Sequence, residues 1–258
     1  MESESGGEAA ERIVHEPTGR CDPRVVVATR SAGVAAECYR LLAERLLAAT
    51  AVGPRRIGFT SPSPGEGRTL SALNTALALA PRASVALVEC DLRAPSLHAL
   101  LGLPPTAGLT DVLAGRVPLE RALVRYGQPP IHVLTSGDAT VPHEAIASPR
   151  LAELLATLAE QFALVIVDAP AALPSADVAT LGRAIDRWVM VVRAGRTRRE
   201  EIERALDRLP VGSVLGFVMA GASESGSCES PPAERDRWTD GSTAGELAGG
   251  LPGQPSRA

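Results

Sequence analysis

The stretch Ser61-Pro62-Ser63-Pro64-Gly65-Glu66-Gly67-Arg68-Thr69 constrains this chain more than any other. An apolar run at 57–59 precedes it and a helical pattern at 70–80 follows it. Strand, glycine-rich turn and helix form the layout of a phosphate-binding loop, in which backbone N–H groups and a helix N-terminus face anionic oxygens. Gly65 and Gly67 let the backbone approach a phosphate with no side chain in the way. Thr69 falls where such loops place the hydroxyl that meets magnesium, and Arg68 falls where they place a Lys. Pro62 stands where the strict pattern has its first Gly. Taken alone, the stretch is equally well a plain structural turn.

The rest of the chain argues against the plain turn. Apolar strands are read at 56–61, 83–89, 131–134, 164–167, 188–192 and 214–219. Between and around them, helices are read at 35–49, 69–80, 95–101, 148–162, 177–183 and 198–209, the fourth with Ser148-Pro149 as its start signal. Apolar strands alternating with helices predict a three-layer α/β fold of the P-loop NTPase kind, a mainly parallel sheet with helices on both faces. Ligands of such sheets lie beyond the carboxyl ends of the strands. The loop at 61–69, Asp91 after the second strand and Asp168 after the fourth all fall there. Residues 1–23 and 223–258 are polar, without periodicity, and are expected to be disordered, which leaves 24–222 as one nucleotide-binding domain.

Composition narrows the function classes. A net charge of −4 gives no general polyanion surface, so nucleic acid is not expected as a partner. Cys21, Cys38, Cys90 and Cys228 lack metal-ligand spacing and read as free thiols of a reducing compartment. No segment has the length of a membrane span, and the acidic first residues do not resemble a signal peptide, so a cytoplasmic location is expected. The 26 basic residues are all Arg; the chain has no Lys. Arg68 therefore belongs to a bias that runs through the whole sequence.

These residues suit a magnesium nucleotide. The backbone of Gly65, Glu66, Gly67, Arg68, Thr69 and Leu70 would cradle the phosphates. Thr69 and Asp168 offer the hard oxygen ligands that Mg2+ prefers. Asp91 is placed to orient or deprotonate an attacking hydroxyl, and Arg68 to contact the terminal phosphates. A planar guanidinium does not reproduce the compact charge of an ammonium, so phosphoryl alignment is the property most exposed to this replacement.

Taken together, the motifs resemble the bacterial tyrosine kinases of capsule and exopolysaccharide synthesis, of the CpsD/CapB type, which are related to the MinD/ParA ATPases. The loop at 61–69 resembles their Walker A motif. Val85-Ala86-Leu87-Val88-Glu89-Cys90-Asp91 resembles their Walker A′ motif, and Leu164-Val165-Ile166-Val167-Asp168-Ala169-Pro170 their Walker B motif. The resemblance covers about 22–221. It implies ATP and Mg2+ as cofactors, with Asp91, Arg68 and Glu89 in catalysis, Glu89 standing where the family has Asp. It implies a cytoplasmic kinase recruited to the inner face of the plasma membrane by a polysaccharide co-polymerase, or chain-length determinant, and acting in trans on tyrosines. It also implies a homo-oligomer, built through a Glu-x-x-Arg-x-x-Arg motif. Here Glu37 and Arg40 match that motif and Ala43 replaces its last Arg. The chain has only Tyr39 and Tyr126, and none in 223–258, where the family carries its tyrosine cluster. A nucleotide-binding regulator of the co-polymerase, weak or inactive as a kinase, is the alternative.

Overall fold

A computed structural model describes residues 20–222, apart from 31, 54, 105 and 138–141. In chain order these form α1 (Val26–Thr29), α2 (Val34–Ala49), β1 (Arg56–Thr60), α3 (Arg68–Leu79), β2 (Val85–Glu89), α4 (Leu97–Leu101) and α5 (Leu109–Leu113). Then follow α6 (Leu119–Ala122), β3 (Val124–Tyr126), β4 (Ile131–Leu134), α7 (Pro142–Ala147), α8 (Pro149–Gln161) and β5 (Leu164–Asp168). The series ends with α9 (Asp177–Leu181), β6 (Arg187–Arg193), α10 (Arg199–Leu206) and β7 (Val214–Ala220). The strands form one sheet in the order β3-β4-β2-β5-β1-β6-β7. Every neighbouring pair is parallel except β3 with β4. The expected fold class holds.

Alternation along the strands sorts the core into two layers. In β2, Val85 and Leu87 face one layer and Ala86 and Val88 the other, all fully buried. The first layer packs α2, α3 and α4 against the sheet through Leu46, Leu73, Ala76 and Leu97. The second packs α5, α8, α9 and α10 through Leu109, Leu155, Leu158 and Val178. Burial on both faces explains why the central strands read as continuous apolar runs.

The six strands read from the sequence are all present, and a seventh, β3, joins them. Its three residues are too few to show a period, and only Val124 and Tyr126 are buried. The tight connection at 127–130 returns the chain antiparallel, pairing Tyr126 with Ile131. The short helices α1, α5, α6 and α7 also escaped the sequence reading, being too short for a helical stripe. On α2 the Glu37–Arg40 pair is closed at 2.8 Å on the surface, whereas Ala43 is buried in the core beside Leu46. The three motif positions therefore do not share one exposed face. The segments 1–19 and 223–258, expected to be disordered, lie outside the described residues. Residues 20–23, which the sequence reading places in the first of these segments, are among the described residues, and the Asp22 N–H donates to the Leu100 carbonyl at 2.9 Å.

Asn74 is the polar pin of this layer. Fully buried on α3, its amide oxygen accepts from the Val27 N–H at 3.0 Å, and its amide nitrogen donates to the Arg24 and Leu70 carbonyls. It thereby fixes α1 on α3. Asn74→Ala strands those backbone groups and is expected to cost about 1–3 kcal/mol, read as a lower midpoint in chemical denaturation.

Candidate nucleotide-binding and phosphotransfer site

Six strands point their carboxyl ends toward one edge of the sheet, and the loop after β1 turns there. Gly65 and Gly67 have φ of +80° and +91°, a region that a side chain would strain. Gly67 is the N-cap of α3, a helix of 12 residues, so the positive end of its dipole opens into the loop. The loop is buttressed from behind. The Ala172 N–H donates to the Ser61 carbonyl at 2.8 Å and the Leu173 N–H to the Pro62 carbonyl at 3.2 Å. From the loop after β6, Arg193 donates to the Gly65 carbonyl at 3.3 Å, and the Thr197 hydroxyl donates to Glu66 Oε1 at 2.8 Å. Glu66 therefore belongs to the cradle through its backbone, while its carboxylate turns toward α10. Burial pushes that carboxyl above its ordinary range. Leu70 continues the helix and packs partly on the core.

Arg68 does not project into open space. Its Nε donates to Asp168 Oδ1 at 2.9 Å and a terminal nitrogen donates to Asp91 Oδ2 at 2.5 Å. All three residues are buried, at 8%, 1% and 8% exposure for Arg68, Asp168 and Asp91. Burial works against the charge of Arg68, but the two carboxylates outweigh it and raise its pKa. Burial also pushes Asp168 upward, opposed by Arg68 and by a hydrogen bond from the Thr69 hydroxyl. Arg68 of the loop, Asp168 at the end of β5 and Asp91 after β2 are thus one ion-paired cluster at one edge of the sheet. Arg93, next but one to Asp91, pairs elsewhere, with Asp177 at 3.3 Å.

Glu89 takes a part that the sequence did not suggest. Its Oε1 accepts from the backbone N–H groups of Ser96 and Leu97 at 2.5 and 2.8 Å, and its Oε2 from Ser136 N–H at 2.9 Å. The carboxylate is fully buried and its pKa is raised by that burial. Both oxygens thus serve the backbone, tying the start of α4 to the end of β4. The longer side chain of Glu makes this reach possible where an Asp would end one methylene short.

Magnesium fits the donor set that is present. Asp168 Oδ2 is buried with no hydrogen-bond partner among the described residues, an acceptor awaiting a positive charge or a bound water. The Thr69 hydroxyl lies on the same carboxylate. Nothing lies within 4 Å of the place a Cβ would take on Gly65, so the loop is open to a phosphate. Together with the parallel sheet and the loop after its central strand, this is the layout of the P-loop NTPase fold.

No family model matches the chain. It is, however, 31% identical over 207 residues to the tyrosine-protein kinase YwqD of Bacillus subtilis, an alignment that covers 78% of this chain and 87% of YwqD. The chain belongs to the bacterial tyrosine-protein kinase family. The crystal structure of the VpsO kinase domain superposes with a TM-score of 0.67 at 30% identity, covering 72% of this chain and 94% of that one. With the tyrosine-protein kinase Etk of Escherichia coli the identity is 28% over 172 residues, covering 64% of this chain. There the chain spans only 24% of its relative's length. Among the described residues, no helix is long and apolar enough to cross a membrane.

Within this kinase family the Arg68 cluster makes a direct test available. Arg68→Ala leaves two buried carboxylates facing each other without a cation, which is expected to cost about 3–5 kcal/mol. Thermal melts should show a lower midpoint for the variant, and added magnesium should raise that midpoint by more than it raises the wild type's.

Proposed function

We propose that this protein is an ATP-dependent protein-tyrosine kinase that acts on a partner of the polysaccharide-export machinery. The observation that carries the reading is the cluster Arg68–Asp91–Asp168 at the mouth of the phosphate-binding loop. The N–H groups from Gly65 to Leu70 bind and orient the phosphates of ATP. Thr69 and Asp168 hold Mg2+, which when bound draws charge from the phosphate oxygens. Arg68 exchanges its carboxylate partners for the terminal phosphates, and Asp91, released from Arg68, accepts the proton of the acceptor hydroxyl.

The acceptor belongs to another protein. Of the two tyrosines in the chain, Tyr126 is buried, and Tyr39 is partly buried with its hydroxyl 3.4 Å from Ser71 Oγ. Both phenols have raised pKa values because of that burial. The resemblance to the CpsD/CapB type supports a membrane co-polymerase as the partner, and work at the inner face of the plasma membrane through that partner.

A second reading, a regulator that binds nucleotide without transferring phosphate, is favoured by one observation: Arg68 holds both functional carboxylates at once. The two readings separate cleanly. Purified protein with labelled ATP, magnesium and a tyrosine copolymer is expected to yield phosphotyrosine. Asp91→Asn should lower that yield by about 10²–10⁴-fold while ADP, titrated calorimetrically, still binds. Nucleotide binding with no phosphotyrosine above an Asp168→Ala control would leave the regulator.

A further inference from the structure

Between Pro64 and Arg68 the phosphate loop has little side chain with which to hold a shape. Gly65 and Gly67 carry none, and both sit at positive φ, where only the lack of a Cβ makes the backbone comfortable. The residue between them is Glu66. Its side chain is the one handle in Gly65-Glu66-Gly67, and the residue is only 3% exposed. Nearer β1 the loop is secured by other means. Ala172 and Leu173 hold Ser61 and Pro62, and the Ser61 hydroxyl donates to the Ser63 carbonyl at 2.9 Å.

The turn after β6 grips that handle. The Thr197 hydroxyl donates to Glu66 Oε1 at 2.8 Å and accepts from the Arg193 N–H at 2.8 Å. The Ser63 N–H also lies on the Glu66 carboxylate, so the side chain ties the turn to the loop's own rim. Arg193 adds a second hold, from its guanidinium to the Gly65 carbonyl at 3.3 Å. The turn is itself fixed. The Arg196 and Thr197 N–H groups donate to the Arg193 carbonyl at 3.1 and 3.0 Å, and the Ala194 N–H donates to the Ala220 carbonyl of β7 at 2.9 Å. Directly after it α10 begins, with the Glu201 carboxylate accepting from the Arg198 N–H at 3.0 Å. The hold on the phosphate loop is thus anchored on β6, β7 and α10.

The peptide between Gly65 and Glu66 is trans, so its C=O and N–H point in opposite directions. With the carbonyl turned to Arg193, the Glu66 N–H is turned away from the β6–α10 turn. Half a rotation of that peptide would present an oxygen where the N–H now stands, and an oxygen repels a phosphate. Gly65 offers little resistance to such a rotation. We propose that Thr197 is a positioning residue for phosphotransfer, which by holding Glu66 keeps the amides on either side of it facing the phosphates of the nucleotide, with Arg193 as its auxiliary. The inference rests on the nucleotide site and, for its kinetic part, on the kinase reading. Thr197 acts through Glu66 and not on the nucleotide. The position requires a hydroxyl, because one atom must accept from Arg193 and donate to Glu66. Ser meets that requirement and Val does not.

The test combines calorimetric titration of ADP with magnesium and the rate of phosphotyrosine formation on a tyrosine copolymer. Thr197→Val is expected to weaken ADP binding about tenfold. It should lower kcat about a hundredfold, more than it raises the KM for ATP. Thr197→Ser should restore both. Arg193→Met, which keeps the stem and drops the guanidinium, should weaken ADP by a smaller factor. The deciding comparison is made in Glu66→Met, where the handle has lost its acceptor: there, adding Thr197→Val should change ADP affinity no further. Equal ADP affinity in Thr197→Val and wild type, a loss that Ser does not restore, or full additivity with Glu66→Met would overturn the positioning role. No ADP binding by wild type would overturn it together with the nucleotide site. The expected pattern of ADP affinities in a protein that forms no phosphotyrosine would leave the positioning role standing and remove the kinase reading.

Discussion

The buried pairing of one guanidinium with two carboxylates organises this molecule's active edge. Asp168 and Asp91 lie at the ends of neighbouring strands, both nearly sealed from water. Two such charges repel each other and resist burial unless a cation stands between them. Arg68, brought in by the turn into α3, supplies that cation. The pairing ties the loop to the sheet, and any ligand that engages Arg68 or the carboxylates must compete with it. Nucleotide affinity in such a site is the difference between two sets of strong interactions, not the sum of one set.

The rest of the edge is arranged so that only this cluster has partners to exchange. Glu66 turns its carboxylate to Thr197, Glu89 gives both oxygens to backbone amides, and Arg93 pairs with Asp177. These charged groups surround the centre, yet each is committed to holding a loop in place. The division does not follow strand order. Glu66, Glu89 and Arg93 lie on or just after β1 and β2, as Arg68 and Asp91 do, and are turned away from the centre by Thr197, by backbone amides and by Asp177. A static frame around a changeable core is what a site needs if phosphate, metal and acceptor are to arrive without displacing its walls.

Much of this was legible in the sequence, and the exceptions share a cause. Strands such as Leu164–Asp168 are apolar at nearly every position because both faces are covered, so their number and order along the chain can be read directly. The convergence of Thr69, Asp91 and Asp168 also follows from reading strands that run parallel. Glu89 was different. Its backbone donors are Ser96, Leu97 and Ser136, and only the folded sheet brings Ser136 beside the other two. Strand β3 was missed because three residues carry no period. Glu66 was assigned to the nucleotide by its neighbours in the loop, and its carboxylate is placed instead by Thr197, 131 residues further on. Pattern reveals what lies next to a residue along a face, but not which distant backbone its polar atoms meet.

Arg68 in a chain without Lys has a practical consequence for chemical biology. Reagents that tag nucleotide sites by acylating the loop amine find no side-chain amine anywhere in this sequence. A guanidinium is protonated throughout the physiological range and is a poor nucleophile. In a proteome-wide survey with acyl-phosphate nucleotide probes, this protein would be silent at its loop even when fully occupied. Acetylation, which quenches a lysine, has no purchase on the site either.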